Sequence, residues 1–248
     1  LTAAGIVFFA FIGFDAVSTQ SQESINPIKD IPFAIITSLI ICTILYILVS
    51  LTLTGMTKYN ELDLGAPVAS AFSSVGLNWA SLLITIAAVI GLISVMLVML
   101  LSQTRIFLSM AKDGLLPPKI FATIHPQYKT PWKSTILLGA IASLIAAITP
   151  IEKATKMTSI GTLFAFAMIC IAVVILRKKQ PTLYRPYKVK HLFLVASLGF
   201  GFNVLLMFSL DKSTWLRLLV WSVVGIAVYF IYSAKYSNLN KNSKNNSL

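Results

Sequence analysis

The feature that most constrains the fold is a series of long segments without acidic or basic residues. Each helical residue advances about 1.5 Å and the apolar core of a bilayer is about 30 Å thick, so about 20 apolar residues make one membrane crossing. Segments of this kind recur along the whole chain. Only 11% of the residues are charged, against about 25% in soluble domains. The sequence therefore predicts an all-α membrane protein with several spans.

Six spans follow directly from these segments, and the N-terminal segment makes a seventh, less regular one. Five of the six are built on runs without Asp, Glu, Lys or Arg. The sixth carries Arg217 in its first turn, where a long side chain can reach the headgroups. The predicted spans, which together form one transmembrane domain over residues 1–234, are residues 2–25, 33–53, 80–101, 132–149, 157–176, 192–210 and 215–234. A short helix outside the membrane is expected at residues 67–74.

The basic residues predict the orientation of these spans. Fifteen of the 20 Lys and Arg residues fall in connections on one side of the predicted membrane and five on the other. By the positive-inside rule the richer side is cytoplasmic, which predicts a multi-pass protein of the cell membrane with a cytoplasmic C-terminus. Residues 235–248 are polar and low in complexity, so they are expected to form a disordered cytoplasmic tail. The net charge of +12 thus reflects topology and not nucleic-acid binding.

The first span differs from the other six. Residues 2–14 are apolar but too few to cross a membrane, and residues 15–24 read DAVSTQSQES, which is too polar to face lipid. We therefore predict a broken helix surrounded by protein, with Gly5 and Gly13 on either side of the interruption. The alternative is that Gly13 only permits close helix packing. Packing alone does not explain the polar residues that follow.

Unwound main chain at residues 9–13 would leave carbonyl oxygens free for an ammonium group, and the half-helix after it would favour a carboxylate. Asp15 and Glu23 are the only acids in this span. Asp15 is interpreted either as a gate or proton site or as a structural cap. Glu23 is interpreted either as part of the same gate or proton site or as a residue at the membrane interface. Ser94, in the span at residues 80–101, either reaches a cavity or bonds its own helix backbone.

The sequence does not indicate an enzyme, a metal site or a cofactor. It contains no glycine-rich phosphate loop and no nucleophile elbow. His125 and His191, the only histidines, fall in basic loops and are interpreted as solvated. Cys42 and Cys170 lie in separate apolar runs, which excludes a disulfide framework and a cysteine-rich metal site.

Several motifs together carry a family resemblance. The stretch FFAFIGFDAVST at residues 8–19, followed by Glu23, Asn26-Pro27 and Ile31-Pro32, resembles the sixth span and following loop of the amino acid-polyamine-organocation permeases. The cationic amino acid transporter branch is the most similar part of that superfamily. Further matches are residues 110–117, 184–187 and 214–217. The resemblance covers nearly the whole chain except the tail.

The resemblance implies a leucine-transporter-type fold of twelve spans. This chain would supply spans six to twelve, that is, the second inverted repeat plus two C-terminal helices, and spans one to five would be missing from it. The resemblance also implies that the α-amino group of the substrate meets carbonyls at Phe9 and Ile12, with Ala10 adjacent and Gly13 at the break. The Phe9 ring would act as a gate over the bound substrate.

The function implied is secondary active transport of amino acids by alternating access, with coupling to protons and no cofactor. The expected partners are an amino acid substrate, the lipid bilayer and the missing repeat of spans one to five, which would complete the site. The alternative is a non-transporting membrane fragment or scaffold remnant.

Overall fold

The computed structural model of the chain describes residues 2–19, 21, 24–63, 65–185 and 187–237, and among these residues there are helices and turns but no strand. Short 3-10 segments lie at Phe8–Phe11 and Tyr59–Glu61, and a π-helical segment lies at Tyr229–Ser233. The α-helices are α1 (Thr2–Val7), α2 (Ala16–Thr19), α3 (Pro27–Met56), α4 (Pro67–Ser74), α5 (Asn78–Lys112), α6 (Pro118–Phe121), α7 (Trp132–Ile148), α8 (Ile151–Lys179), α9 (Leu192–Phe208), α10 (Lys212–Val228) and α11 (Ala234–Tyr236).

The apolar helices fall into two length classes. Four described stretches are long and apolar enough to cross a membrane: α3, α5, α8 and the continuous helical stretch Lys212–Tyr236. Three shorter apolar stretches are Ala3–Thr19, α7 and α9. The prediction of an all-α membrane fold is confirmed for the described residues.

The helix ends follow local sequence signals. α3 begins at Pro27, earlier than the predicted span, because proline fits the first turn of a helix and Asp30 Oδ2 accepts the Asn26 N–H at 3.2 Å. α5 ends at Lys112 and is followed by Gly114 at φ 78°. The predicted short helix between spans is confirmed as α4.

The chain divides into two compact units. One, here called the core unit, consists of the residues up to Ile12 and from Thr104 onward, and the other, here called the middle unit, runs from Gly13 to Gln103. The division therefore falls between Ile12 and Gly13, inside the first predicted span.

The core unit is organised around α8, α9 and α10. Its centre is a cluster of four buried side chains, Ile160, Leu163, Met207 and Leu210, with Phe8 and Trp215 packed against it. Trp215 Nε1 donates a hydrogen bond to the Met207 carbonyl at 3.0 Å, which satisfies the indole N–H where the ring is partly buried. This cluster holds the segment that precedes the break against α8.

The middle unit contains α2, α3, α4 and the first part of α5. Its closest packing is at α4, where Ala69 and Ala71 are buried and Ser74 Oγ lies 2.9 Å from Thr57 Oγ1 at the end of α3. The most apolar stretches of α3 and α5 contain no buried residue. These two long helices thus expose apolar side chains on most of their surface.

Candidate functional site

The first span is interrupted between Ile12 and Asp15. α1 tightens into the 3-10 segment Phe8–Phe11, after which Ile12 is extended, with φ −63° and ψ 129°. Gly13 follows at φ 128°, a backbone conformation that residues with a side chain rarely adopt. The predicted break in the helix is confirmed, but it begins at Ile12 rather than at Phe9.

Glycine is required at position 13 mainly by the backbone conformation, and less by the space around it. A Cβ added to Gly13 would lie 3.0 Å from Met99 Cε, the far end of a flexible side chain that can move away. The positive φ cannot be relieved in the same way. Gly5 has a different role, because it lies inside α1, where an added Cβ would come within 2.5 Å of Ser209 Oγ. Gly5 therefore permits close packing and does not bound the break.

The carbonyl groups near the break differ in how they are engaged. The Phe9 carbonyl was expected to be free, but it accepts a hydrogen bond from the Ile12 N–H at 3.2 Å. One lone pair of this oxygen remains available. No donor to the Ile12 carbonyl occurs among the described residues. An extended Ile12 therefore provides the open acceptor of this segment.

Asp15 stabilises the turn through its side chain. Its Oδ1 accepts the Gly13 N–H at 3.1 Å, which satisfies a donor that the broken helix leaves without a helical partner. This contact gives Asp15 a structural role within the turn, although the donor precedes Asp15 and the bond is not the one that caps a following helix. Glu23, the other acid of this span, lies outside the described residues.

Two of the described polar residues after the break bond to nearby main chain. Ser18 Oγ donates to the Asp15 carbonyl at 2.6 Å, and Thr19 Oγ1 donates to the Ala16 carbonyl at 2.7 Å. α2 is only four residues long. The expectation of a half-helix N-terminus strong enough to attract a carboxylate is therefore not met, because so few peptide dipoles are aligned.

The aromatic residues of the 3-10 segment divide by environment. Phe8 packs edge-on against Phe166 of α8, with ring centroids 6.2 Å apart, and so anchors the segment. Phe9 is 42% exposed, and Ala10 is also exposed. Phe8 is therefore packed against α8, whereas the next side chain, Phe9, is exposed. The sequence did not separate the two phenylalanines, because the contact with Phe166 joins distant parts of the chain.

The predicted site residues are distributed over both units. Phe9, Ala10 and Ile12 belong to the core unit and are close together because they are consecutive in the chain. Gly13 and Ser94 belong to the middle unit, where Met99 brings α5 to Gly13. Ser94 is exposed and lies five residues before Met99, about 7.5 Å along the helix axis.

A second polar cluster lies at the loop between α9 and α10. Asp211 accepts hydrogen bonds from the Ser213 hydroxyl and, at 2.8 Å, from Thr214 Oγ1, and Lys156 Nζ lies 3.8 Å from Asp211 Oδ1. The two hydroxyl donors are the main reason that the pKa of Asp211 falls to about 2. The cluster is thus an ionised link between α8 and the start of α10. Among the described residues, no group of three or more His, Cys, Asp or Glu side chains could hold a metal ion.

Comparison with known proteins identifies similar chains. A family model described as amino acid permease matches residues 1–231. The branched-chain amino acid permease BcaP of Bacillus subtilis is 43% identical over 241 residues, which is 97% of this chain and 52% of the relative. The methylthioribose transporter of the same organism is 44% identical, with the same shares covered. The chloroplastic cationic amino acid transporter 9 of Arabidopsis thaliana is 40% identical over 92% of this chain and 41% of its own length. The chain therefore spans about half the length, or less, of these curated relatives.

Proposed function

The chain belongs to the amino acid permease family, and from this membership we propose that it forms part of a secondary transporter that moves amino acids by alternating access. The observation that supports the proposal best is the interruption at Ile12 and Gly13. Backbone polar groups without a helical partner are tolerated at membrane depth only where protein or a water-filled cavity surrounds them. A solute pathway provides such a cavity.

In the proposed mechanism, the Ile12 carbonyl and the remaining lone pair of the Phe9 carbonyl receive the substrate's ammonium group. Ala10 and Gly13 leave room beside this main chain, since neither has a bulky side chain, and the Phe9 ring covers the bound substrate. Ser94 on α5 is a separately proposed substrate-binding residue. Spans six to twelve, which this chain supplies, would rock against spans one to five around the fixed site.

The orientation is part of the same proposal. Most Lys and Arg residues fall on the side that we assign to the cytoplasm, together with the C-terminus. The first five spans would come from a companion segment. They would supply the other half of the substrate site.

The main test is uptake of labelled leucine by cells that lack their own carriers, with the chain expressed alone and with a polypeptide carrying spans one to five. We expect uptake only in the second case. Gly13→Ala should lower it about fivefold or more, because about 1–3 kcal/mol of backbone strain falls on the site. Gly55→Ala is the matched control, since a Cβ there meets nothing within 4 Å. Unchanged uptake in Gly13→Ala and Ala10→Leu would remove the site from this segment.

Proton coupling is proposed through Asp15 and Glu23, and the hydrogen bond between the Gly13 N–H and Asp15 calls for a specific test. Asp15→Asn keeps an oxygen that can accept the Gly13 N–H but removes the charge, whereas Asp15→Ala removes both. We expect Asp15→Asn to retain uptake driven by a substrate gradient and to lose its stimulation by an inward proton gradient. Full stimulation in Asp15→Asn, with failure only in Asp15→Ala, would leave Asp15 with a structural role in the turn alone.

A second candidate substrate class is favoured by one of the relatives. The methylthioribose transporter is as similar to this chain as the branched-chain amino acid permease is, over the same share of its length. Carbonyl oxygens accept hydrogen bonds from hydroxyl groups as well as from ammonium groups. Competition of labelled leucine uptake by methylthioribose and by a panel of amino acids distinguishes the two classes.

A further inference from the structure

The core unit contains a groove between α8 and α9 that the proposed transport site does not use. Its volume is about 260 Å³. One wall consists of Ile171, Val174 and Ile175 of α8, and the other of Ala196, Ser197 and Phe200 of α9. The groove is narrow, mostly apolar and open along one side of the helix pair.

The register of the two helices places a positive charge at one end of this groove. On α8, Lys178 continues the stripe of Ile171, Val174 and Ile175 at helical spacing. On α9, Phe193 continues the stripe of the opposite wall in the same way. Lys178 Nζ lies 5.7 Å from the centroid of the Phe193 ring. The end of the groove nearest the loop between α8 and α9 is therefore marked by an ammonium group.

Small residues allow the two helices to lie close enough to form the groove. A Cβ added to Gly199 would lie 3.1 Å from Cys170 Sγ, which shows how closely the helices approach at the end far from Lys178. Ala196 is 8% exposed and lies deep in the wall. The groove thus narrows away from the loop.

Two arginines hold the loop at the open end in a defined conformation. Arg185 Nη2 donates to the Gln180 carbonyl at 2.6 Å and to the Leu176 carbonyl at 3.3 Å, which caps the C-terminus of α8. Arg177 Nη2 donates to the Val189 carbonyl at 3.2 Å. This bond holds Val189, which lies between Lys188 and Lys190 in the sequence, against the C-terminal part of α8.

The remaining charges of this region are all positive. Lys178, Lys179, Lys188 and Lys190 are exposed. No acidic residue occurs in the sequence between Glu152 and Asp211. The open end of the groove is therefore complementary to an anion.

We propose that this groove binds one anionic phospholipid, with part of an acyl chain between α8 and α9 and the phosphate at Lys178 and the neighbouring loop lysines. Basic pockets between transmembrane helices are the usual form of such sites. The groove is smaller than the roughly 300–1,000 Å³ of typical small-molecule sites, and Ser197 and Cys170 are its only polar side chains. It suits a flexible hydrocarbon segment better than a polar solute.

Native mass spectrometry of the purified chain with phosphatidylglycerol or phosphatidylcholine tests the proposal. The chain should retain phosphatidylglycerol preferentially. Lys178→Gln should reduce that retention about fivefold, the change expected for one lysine near an anionic lipid surface, and Lys178→Arg should preserve it. Lys133→Gln is the matched control, because Lys133 Nζ lies 5.6 Å from the Trp132 ring in the same kind of contact. Equal losses in Lys178→Gln and Lys133→Gln would overturn the site.

Filling the groove separates a lipid from other occupants. Ser197→Phe leaves every loop lysine in place, and it should nevertheless reduce phosphatidylglycerol retention, while inorganic phosphate should not compete. Competition by inorganic phosphate would indicate a free-anion site instead. A shift between monomer and dimer in Ser197→Phe, with lipid retention unchanged, would assign the groove to a second copy of the chain. Either result contradicts the proposal, and neither depends on transport.

Discussion

The core unit and the middle unit are built from similarly apolar helices but differ in how those helices are buried. In the core unit, Leu163 is fully buried and Ile160 is almost fully buried, both in α8, which is long and apolar enough to cross a membrane. In the middle unit, the apolar stretches of α3 and α5 contain no buried residue. Apolar composition therefore does not decide which helix surfaces pack together. In a membrane the lipid tails are as apolar as leucine, so shape and polar contacts decide instead.

Glycines show where close approach occurs within each unit. In the core unit, an added Cβ at Gly5 or Gly199 would crowd a neighbouring side chain, whereas at Gly161, Gly201 or Gly225 it would meet nothing within 4 Å. In the middle unit, an added Cβ at Gly13 would lie 3.0 Å from Met99 Cε, whereas at Gly55 or Gly91 it would meet nothing within 4 Å. Close approach is therefore local in both units.

The largest expected effect comes from a matched pair of leucines. Leu163→Ala should lower the free energy of unfolding by about 2–5 kcal/mol, because it leaves a cavity in the core cluster. Leu51→Ala, at a side chain 64% exposed in α3, should change it by less than about 1 kcal/mol. Denaturant titration in mixed micelles measures both values. Equal losses would show that the middle unit is as tightly packed as the core unit.

A smaller effect is expected from a matched pair of glycines. Gly5→Ala should destabilise the chain by about 1–3 kcal/mol, because Ser209 Oγ must move from its position 2.6 Å from the Leu206 carbonyl. Gly91→Ala should be neutral or stabilising by up to about 1 kcal/mol, since alanine costs less conformational entropy in a helix. The same denaturant titration compares the two variants. A lower free energy of unfolding in Gly91→Ala would indicate a contact on the open face of α5.

The smallest effect concerns Asp211 and pH. Its pKa is lowered to about 2, so the ionised carboxylate stabilises the folded chain above the unfolded pKa of about 3.9, and this contribution is lost as the pH falls through about 2. Because the side chain is well exposed, the contribution should be less than about 1 kcal/mol. Melting temperatures measured between about pH 5 and pH 2 should depend less on pH in Asp211→Asn than in the unchanged chain. Asp63→Asn, in the middle unit, leaves Asp211 intact and should keep the full pH dependence.

Part of the candidate site could be predicted from the sequence. The change from apolar to polar residues after Phe14, together with Gly13, was sufficient to predict a break. Two features could not be predicted from the sequence because both depend on packing against α8. One is the 3-10 segment, after which the break begins at Ile12, and the other is the contact of Phe8 with Phe166. The sequence left two possible roles for Asp15, and the hydrogen bond that it accepts from the Gly13 N–H could not be predicted because it depends on the turn conformation. In the sequence, the basic loop between α8 and α9 indicates only the orientation of the spans, because its position beside the groove depends on the pairing of α8 with α9.

The sequence alone determined that the chain is helical, where most of its apolar helices lie and where one of them is interrupted. It can do so because a bilayer imposes a length and an average hydropathy on every crossing, and both are properties of consecutive residues. Only the tertiary structure decided which apolar faces are buried, which carbonyl at the break stays open and which lysine lies at the end of the groove. These depend on contacts between distant residues, and apolarity along the chain does not distinguish a face that meets protein from one that meets lipid.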